Sequence, residues 1–235
     1  MLYRIADLNL EMPDLGDMPE RMQSYRIPEG EADLIIEASE LIMRRWGQVE
    51  DKEMVCYMET GWIFYHKLLS FEGMMLHASA VVMDGYAYLF SGPSGMGKST
   101  HTGLYLKTFG GRARIINDDK PALRRMDGIW YAYGTPWCGK DGININEKAR
   151  LGGICFLRRG DTRLTRLTPA DAVHYILSQT QRHIDPVKMR MLLASVHKLV
   201  TEVPVFEFYN HADRSDAELT YKAMQKAAEE KAYET

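Results

Sequence analysis

The run Gly92-Pro93-Ser94-Gly95-Met96-Gly97-Lys98-Ser99 constrains the fold more than any other feature, because it matches G-x-x-x-x-G-K-[ST] at every fixed position. An apolar segment precedes this run, and a helix-forming segment, residues 98–108, follows it. Glycines let the backbone wrap closely around phosphate oxygens, with amide N–H groups and a helix N-terminus directed at them. The spacing therefore predicts a P-loop between a strand and a helix, and hence an α/β fold.

Individual P-loop residues are expected to have different roles. Lys98 is predicted to bind the β- and γ-phosphates of ATP, and Ser99 to place its hydroxyl on Mg²⁺. Pro93 lacks an N–H group and so removes one possible donor. A chance glycine turn is the alternative, which the flanking strand and helix disfavour. The predicted nucleotide-binding residues are Gly92, Ser94, Gly95, Met96, Gly97, Lys98, Ser99 and Thr100.

Two adjacent acids follow a short apolar segment in Ile115-Ile116-Asn117-Asp118-Asp119. Carboxylates at a strand end can lie beside phosphate-bound Mg²⁺, which prefers hard oxygen ligands. Alternation along an extended backbone would send Asp118 and Asp119 in different directions, so they could have different roles. The alternative is a solvated turn, which the P-loop upstream disfavours.

One histidine lies in an otherwise apolar segment, Leu76-His77-Ala78-Ser79-Ala80. Such a histidine is more often a hydrogen-bonded core residue than a catalytic one. The Asp84-Gly85 pair, however, predicts a hairpin between strands over 76–83 and 86–90. That hairpin would return the chain toward the P-loop and could bring His77 near the γ-phosphate, so both interpretations stay open.

A second Asp-Gly pair, Asp127-Gly128, predicts another hairpin between residues 122–126 and 129–133. Two hairpins beside the P-loop helix favour a mixed sheet over a purely parallel, doubly wound sheet, which would alternate strand and helix. The other predicted elements are a helix over 53–69, helices that start at Thr168-Pro169 and Asp185-Pro186, strands over 154–157 and 203–209, and a last helix opened by a capping box at Ser215-Asp216-Ala217-Glu218.

We predict one domain over residues 1–235. It would comprise integrated N-terminal strands and a helix (1–70), a nucleotide-binding core (71–160) and a helical C-terminal part (161–235). Residues 13–19 are predicted to form a surface loop.

Composition limits the classes of partner and the compartment. The chain has 29 basic and 32 acidic residues, a formal net charge of −3, so it has no overall field for nucleic acid or an anionic membrane. Cys56, Cys138 and Cys155 lack the spacing of a zinc site or a disulfide framework. Without an apolar run of about 20 residues or a secretory leader, the expected location is the cytoplasm.

The segments from Leu76-His77 through the P-loop to Asp118-Asp119 resemble HPr kinase/phosphorylase and the wider HPr serine kinase-like group, whose core is similar to PEP carboxykinase. The resemblance covers about residues 75–119 and extends less closely to residue 159, as in peptide-cluster relatives. It implies a mixed-sheet P-loop kinase core and Mg²⁺-dependent phosphotransfer. In that comparison Asp118 binds the metal, Asp119 is the general base, and His77 lies nearby.

Downstream, residues 134–142 replace the Glu-Ile-Arg-Gly type segment that the family associates with phosphorolysis. The reverse reaction, and HPr itself as acceptor, are therefore not implied. In this loop Lys140 could reach a phosphate, and Trp137 could pack on a base or an acceptor peptide or belong to the core. Cys138 is expected to be a small buried residue, and Arg158-Arg159 a solvated strand end rather than an arginine clamp.

The expected function is transfer of the ATP γ-phosphoryl group to a hydroxyl, with serine of a peptide or small protein as the leading acceptor and a small hydroxyl compound as another. The proposed catalytic residues are Asp119, His77 and Lys98, and the metal ligands are Ser99 and Asp118. A nucleotide-dependent switch or accessory protein of a peptide-modification system is the alternative. The choice between ATP and GTP stays open, and the resemblance is compatible with a homo-oligomer.

Overall fold

In the computed structural model, the described residues are 1–13, 20–40, 52–210 and 216–233. The N-terminal elements are β1 (Leu2–Ile5), β2 (Leu8–Glu11), β3 (Leu34–Ile35) and α1 (Lys52–Leu68). The central elements are β4 (Gly73–Met75), β5 (Ala78–Met83), β6 (Tyr86–Ser91), α2 (Lys98–Phe109), β7 (Ala113–Asn117), β8 (Ala122–Met126), β9 (Ile129–Tyr133) and β10 (Lys148–Arg159). The C-terminal elements are β11 (Arg163–Arg166), α3 (Pro169–Ser178), α4 (Pro186–Glu202), β12 (Val205–Asn210) and α5 (Ala217–Tyr233).

The large sheet is mixed, as predicted. Its order is β4-β8-β9-β10-β6-β5-β7, and β12 pairs with both β10 and β11. Strand β10 runs parallel to β6 and β12 but antiparallel to β9. The parallel β6 and β10 therefore direct their carboxyl ends to the same side of the sheet, which is where ligands bind in open α/β sheets.

Both predicted hairpins form. Asp84 and Gly85 have φ angles of 49° and 84°, and Asp127 and Gly128 have 50° and 82°. Positive φ at both central residues matches the twist that joins two antiparallel strands. The turns connect β5 to β6 and β8 to β9.

The strand predicted over residues 76–83 is interrupted at Leu76 and His77. Strand β4 ends at Met75 and pairs with β8, whereas β5 begins at Ala78 and pairs with β6 and β7. The His77 N–H donates to the Gln179 carbonyl at 2.7 Å instead of to a neighbouring strand. The placement of His77 within a strand was therefore wrong, because the chain crosses here between two parts of the sheet.

Three apolar clusters surround the sheet. One joins the sheet to α3 and α4, and another joins β5, β6 and β10 to α2 and α5. The third joins the N-terminal strands and α1 to Ala122, Tyr133 and Trp137. The N-terminal elements thus pack against the segments that lead to the predicted site.

Helices α3, α4 and α5 each begin directly after a residue whose side chain accepts a backbone N–H of the first turn. Thr168 Oγ1 accepts the Asp171 N–H at 3.2 Å, and Asp185 Oδ1 accepts the Lys188 N–H at 2.8 Å. At α5 the cap is Asp216, whose Oδ1 accepts the Leu219 N–H at 2.9 Å.

Some predicted segments lie outside the described residues, and one predicted strand boundary differs from the structure. Ser215 of the predicted capping box lies outside the described residues, as do residues 14–19 of the predicted loop. Strand β12 begins two residues later than predicted, because α4 continues to Glu202. Among the described residues, no helix combines the length and the apolar character that a membrane crossing requires.

Candidate active site

The P-loop connects the carboxyl end of β6 to the first turn of α2. Gly97 immediately precedes α2 and has φ 91°, in the left-handed region that residues with a β-carbon rarely adopt. This conformation lets the loop turn directly into the helix whose first residues are Lys98 and Ser99. The strand, the glycine turn and the helix therefore follow one another as the spacing predicts, and phosphate binding by this turn stays a prediction.

Lys98 lies against its own loop. Its Nζ donates to the carbonyl of Gly92 at 2.8 Å and to that of Pro93 at 3.4 Å. Burial lowers the pKa of Lys98, and the negative charge of Asp119 opposes that effect. Phosphate oxygens could replace these carbonyls as acceptors and give the ammonium an oppositely charged partner.

A cleft of about 630 Å³ joins the P-loop to the predicted acids. It brings together Lys98, Ser99, Asp118, Asp119 and His77, which are the predicted catalytic and metal-binding residues. The other lining residues are Ser94, Gly95, Gly97, Thr100, Gly139, Lys140, Asp141 and Arg159. Of the predicted nucleotide-binding residues, Gly92 and Met96 lie outside this lining, and Gly92 contributes through its carbonyl contact with Lys98.

Asp118 is held in place by the loop over residues 134–142. Its Oδ1 accepts the Gly139 N–H at 2.6 Å. Burial raises the pKa of Asp118, although this backbone hydrogen bond opposes the increase. A β-carbon at position 139 would lie 2.8 Å from Asp118 Oδ2, so an alanine there would displace the carboxylate or the loop.

The donor set beside the P-loop fits Mg²⁺ bound to a nucleotide. Ser99 and Asp118 present a hydroxyl and a carboxylate to the same cleft, and Mg²⁺ commonly combines one or two such ligands with phosphate oxygens and water. Over residues 1–13, 20–40, 52–210 and 216–233, no three His, Cys, Asp or Glu side chains form a group that could hold a metal ion alone.

Asp119 faces a different set of partners. Its Oδ1 lies 3.2 Å from His77 Nε2, and its Oδ2 contacts Lys120 Nζ. Burial raises the pKa of Asp119, but the hydrogen bond from His77 and the charge of Lys120 outweigh burial and lower it below its usual value. Asp119 is thus ionised at neutral pH, as a proton acceptor must be.

His77 is oriented from its other side by Gln179. His77 Nδ1 lies 3.0 Å from the side-chain amide oxygen of Gln179. The adjacent backbone strengthens the placement, since the Ala78 N–H donates to the Asp119 carbonyl at 3.1 Å. Sequence reasoning missed Gln179, because the end of α3 shows no periodicity or motif that relates it to residue 77.

Asn117 is a second residue that the sequence did not single out. It is fully buried, and its Oδ1 accepts the N–H groups of Asp119 at 2.9 Å and Lys120 at 2.7 Å. Its Nδ2 donates to the carbonyls of Thr135 at 3.0 Å and Trp137 at 3.2 Å. An Asn directly before two acids at a strand end is a turn-forming signal that could have indicated this role.

Arg159 is the last residue of β10 and is exposed, as expected for a solvated strand end, and it also makes a contact that the sequence did not indicate. Its Nη2 donates to the Gly95 carbonyl at 3.1 Å, and its side chain lines the cleft. Arg158 instead lies 3.3 Å from Glu207 and stacks over Tyr175 at 5.0 Å. Alternation along β10 separates the two arginines, and the parallel pairing of β10 with β6 brings only Arg159 to the P-loop.

The loop over residues 134–142 divides its side chains between the cleft and the core. Lys140 lines the cleft, as one interpretation expected. Trp137 is only 2% exposed, stacks on Phe64 at 4.9 Å and donates its indole N–H to the Tyr57 carbonyl at 2.9 Å. It therefore belongs to the core rather than stacking on a nucleotide base, and Cys138 is buried as expected.

Comparisons with known proteins identify no family for this chain. No protein family model matches it, and no curated protein matches it. A solved structure that is similar is the Hpr(Ser) kinase/phosphatase from Coxiella burnetii, with a TM-score of 0.41 and 12% sequence identity. The alignment covers 68% of this chain and 94% of that chain.

Proposed function

We propose that the chain is a Mg²⁺-dependent kinase that transfers the γ-phosphoryl group of ATP to a hydroxyl, with a peptide or small-protein serine as the acceptor. The observation that supports this proposal most directly is the shared cleft. A phosphate-binding loop with Lys98 lies opposite an ionised carboxylate, Asp119, which His77 contacts at 3.2 Å. Nucleotide binding alone would not need that second group.

The P-loop side of the cleft would bind the triphosphate. Loop N–H groups and the Lys98 ammonium are suited to the β- and γ-oxygens. Arg159 and Lys140 line the same cleft, and their positive charge would favour the terminal phosphate. Positioning and charge neutralisation of this kind provide most of the catalysis in phosphoryl transfer.

Ser99 and Asp118 would hold the magnesium ion together with the nucleotide. When bound, the ion neutralises charge on the phosphate oxygens. The Gly139 N–H fixes the Asp118 carboxylate, so this ligand keeps its orientation.

Asp119 would act on the acceptor. As the acceptor oxygen forms its bond to the γ-phosphorus, the bond from that phosphorus to the bridging oxygen breaks and ADP leaves. The hydroxyl proton moves to the Asp119 carboxylate, and the His77 ring holds that carboxylate in position. A weakly basic carboxylate is adequate because the transition state is loose and the proton needs to leave only late.

The test is acceptor-dependent loss of the γ-phosphate. The protein is incubated with labelled ATP, Mg²⁺ and the peptide products of neighbouring genes, and mass spectrometry locates the label. A kinase gives a phosphorylated hydroxyl that disappears in Asp119→Asn. Slow hydrolysis that is independent of any acceptor and unchanged in Asp119→Asn would instead support a nucleotide-dependent switch.

Parallel reactions separate the remaining alternatives. Free serine and other small hydroxyl compounds, supplied one at a time, distinguish a small-molecule kinase from a peptide kinase. GTP in place of ATP determines the preferred base.

A further inference from the structure

A second cavity, of about 260 Å³, lies along helix α1, and we call it the α1 pocket. Residues at positions 57, 58, 61, 62 and 65 fall on one face of a helix because they are separated by about one and two turns. The surface of this cavity is almost entirely apolar. Its lining residues are Tyr57, Met58, Gly61, Trp62, Tyr65, Met75, Lys120, Trp137 and Gln181.

Lys120 connects the α1 pocket to the candidate active site. Lys120 lines the pocket, while its ammonium contacts Asp119 Oδ2. Its backbone carbonyl accepts hydrogen bonds from the Tyr65 hydroxyl and, at 2.8 Å, from Thr135 Oγ1. A group in the pocket would therefore contact the residue that directly follows the proposed general base.

The segment over residues 179–181 connects the same two places independently. Gln179 contacts the His77 ring at 3.0 Å, and Gln181 lines the pocket and donates to the Trp62 carbonyl at 3.3 Å. Between them, Thr180 Oγ1 donates to the carbonyl of Met75, another lining residue, at 2.5 Å. Three consecutive residues thus span from the catalytic histidine to the pocket.

The pocket is preformed. A β-carbon at Gly61 would lie 2.6 Å from Trp137 Cδ1, so glycine allows α1 to approach the indole closely. The Tyr57 hydroxyl donates to the Pro136 carbonyl at 2.7 Å, and the Tyr65 hydroxyl is paired with Thr135. Because these hydroxyls are already hydrogen-bonded, the rings present apolar surface to the cavity.

We propose, on the basis of the kinase function above, that the α1 pocket binds a large apolar side chain of the acceptor peptide, within two residues of the phosphorylated serine. A cavity of about 150 Å³ is large enough for benzene, so this one accepts a Leu, Met or Phe side chain. Asp119 and Lys120 are consecutive, and an extended peptide advances about 3.3–3.6 Å per residue. The serine and the residue with the apolar side chain are therefore at most two positions apart in one chain.

The first test uses synthetic peptides with one serine. Leu, Phe or Ala is placed at each position from −2 to +2, and kcat/KM is measured for phosphorylation by the full-length protein. Burial of one large apolar side chain predicts a preference over Ala of roughly 10- to 100-fold at one position. Equal rates for Leu, Phe and Ala at every position would overturn the proposal.

Substitutions in α1 then test whether the preference for a peptide with Leu or Phe depends on the α1 pocket. Met58→Trp is expected to fill the pocket and reduce the preference for Leu or Phe to less than about threefold, with unchanged ATP affinity. Met54→Trp is the matched control, because Met54 lies one turn earlier on α1, is also partly buried in the same cluster, and does not line the pocket. A preserved preference in Met58→Trp would place the apolar contact elsewhere and contradict the proposal.

A binding measurement separates this inference from the kinase proposal. The indole N–H resonances of Trp62 and Trp137 are followed by NMR while N-acetylphenylalaninamide or N-acetylleucinamide is added to millimolar concentration. We expect saturable shifts in the wild type and Met54→Trp, but not in Met58→Trp. If neither resonance shifts, the α1 pocket does not bind apolar side chains and the proposal is wrong. If the resonances shift but no peptide is phosphorylated, the kinase function is contradicted and the apolar binding pocket stands.

Discussion

His77 Nε2 lies 3.2 Å from Asp119 Oδ1, although the two residues are separated by the whole P-loop and helix α2. The contact forms because residue 77 lies where the chain crosses from β4 to β5, and residue 119 lies just after β7, the neighbour of β5. In the proposed function, this His–Asp pair provides the group that accepts a proton.

Replacing Asp119 by Asn should separate transfer from binding. The amide has nearly the size of the carboxylate but cannot take a proton from the acceptor hydroxyl at neutral pH. We expect phosphotransfer to fall by roughly 10² or more, with Mg·ATP affinity within a few-fold of the wild type. Steady-state kinetics and calorimetry give the two values, and near-normal transfer would reject Asp119 as the base.

Gly139→Ala tests how Asp118 is held. The new β-carbon would meet Asp118 Oδ2 at 2.8 Å, so the carboxylate or the loop must move. We expect Mg²⁺-dependent ATP binding to weaken by roughly tenfold, in the same direction as Asp118→Asn. Gly103→Ala is the control, since a β-carbon there meets nothing within 4 Å. Equal affinity in both glycine variants would show that the close approach is not needed.

Arg159→Ala should weaken ATP binding more than ADP binding. The loss of one charge-assisted hydrogen bond to the terminal phosphate predicts roughly a tenfold effect on ATP, and Lys98→Ala should have a larger one. Arg158→Ala is the matched control, because that side chain pairs with Glu207 instead of lining the cleft. Isothermal titration calorimetry with ATP and ADP measures the affinities. Equal losses of ATP affinity in the two arginine variants would contradict the assignment.

His77→Ala distinguishes a site residue from a core residue. The ring contacts Asp119 and Gln179 and lines the cleft, so its loss should lower kcat by roughly tenfold or more while the melting temperature changes little. A large loss of melting temperature with normal specific activity would assign His77 to the core.

The contact between the buried His183 and the half-buried His66 should make stability pH-dependent. Their Nδ1 atoms lie 2.8 Å apart, and burial together with the charge of His66 lowers the pKa of His183 to about 4. Since the unfolded histidine binds a proton near its usual pKa of 6.5, the unfolded state gains protons first, and stability falls as the pH drops from about 6.5 toward 4. Melting temperatures of His183→Gln should show a smaller decrease over this range, and an equal decrease would contradict the prediction.

Local signals in the sequence predicted much of the fold. The two Asp-Gly pairs, the P-loop spacing and the caps at Thr168 and Asp185 depend on neighbouring residues only, and each is where the pattern indicates. The interruption at His77 was missed because a short apolar run does not show where one strand ends and the next begins.

Contacts between distant segments were harder to predict. Arg159 reaches the P-loop only because β10 runs parallel to β6, and that pairing leaves no local pattern at residue 159. Gln179 is likewise brought to His77 by the packing of α3. The roles assigned to Asp118, Asp119 and Lys98 remain predictions, although the structure brings all three to one cleft.

The side-chain amide of Asn117 orders the candidate site through its hydrogen bonds. It fixes the turn that carries Asp119, and it also holds the carbonyls of Thr135 and Trp137, just before the Gly139 N–H that binds Asp118. One buried side chain thus joins the turn that carries Asp119 to the loop that binds the Asp118 carboxylate. Because these contacts involve protein groups alone, the Asp118 carboxylate and the turn that carries Asp119 are preorganised, and ligand binding in the cleft need not include the entropic cost of ordering them.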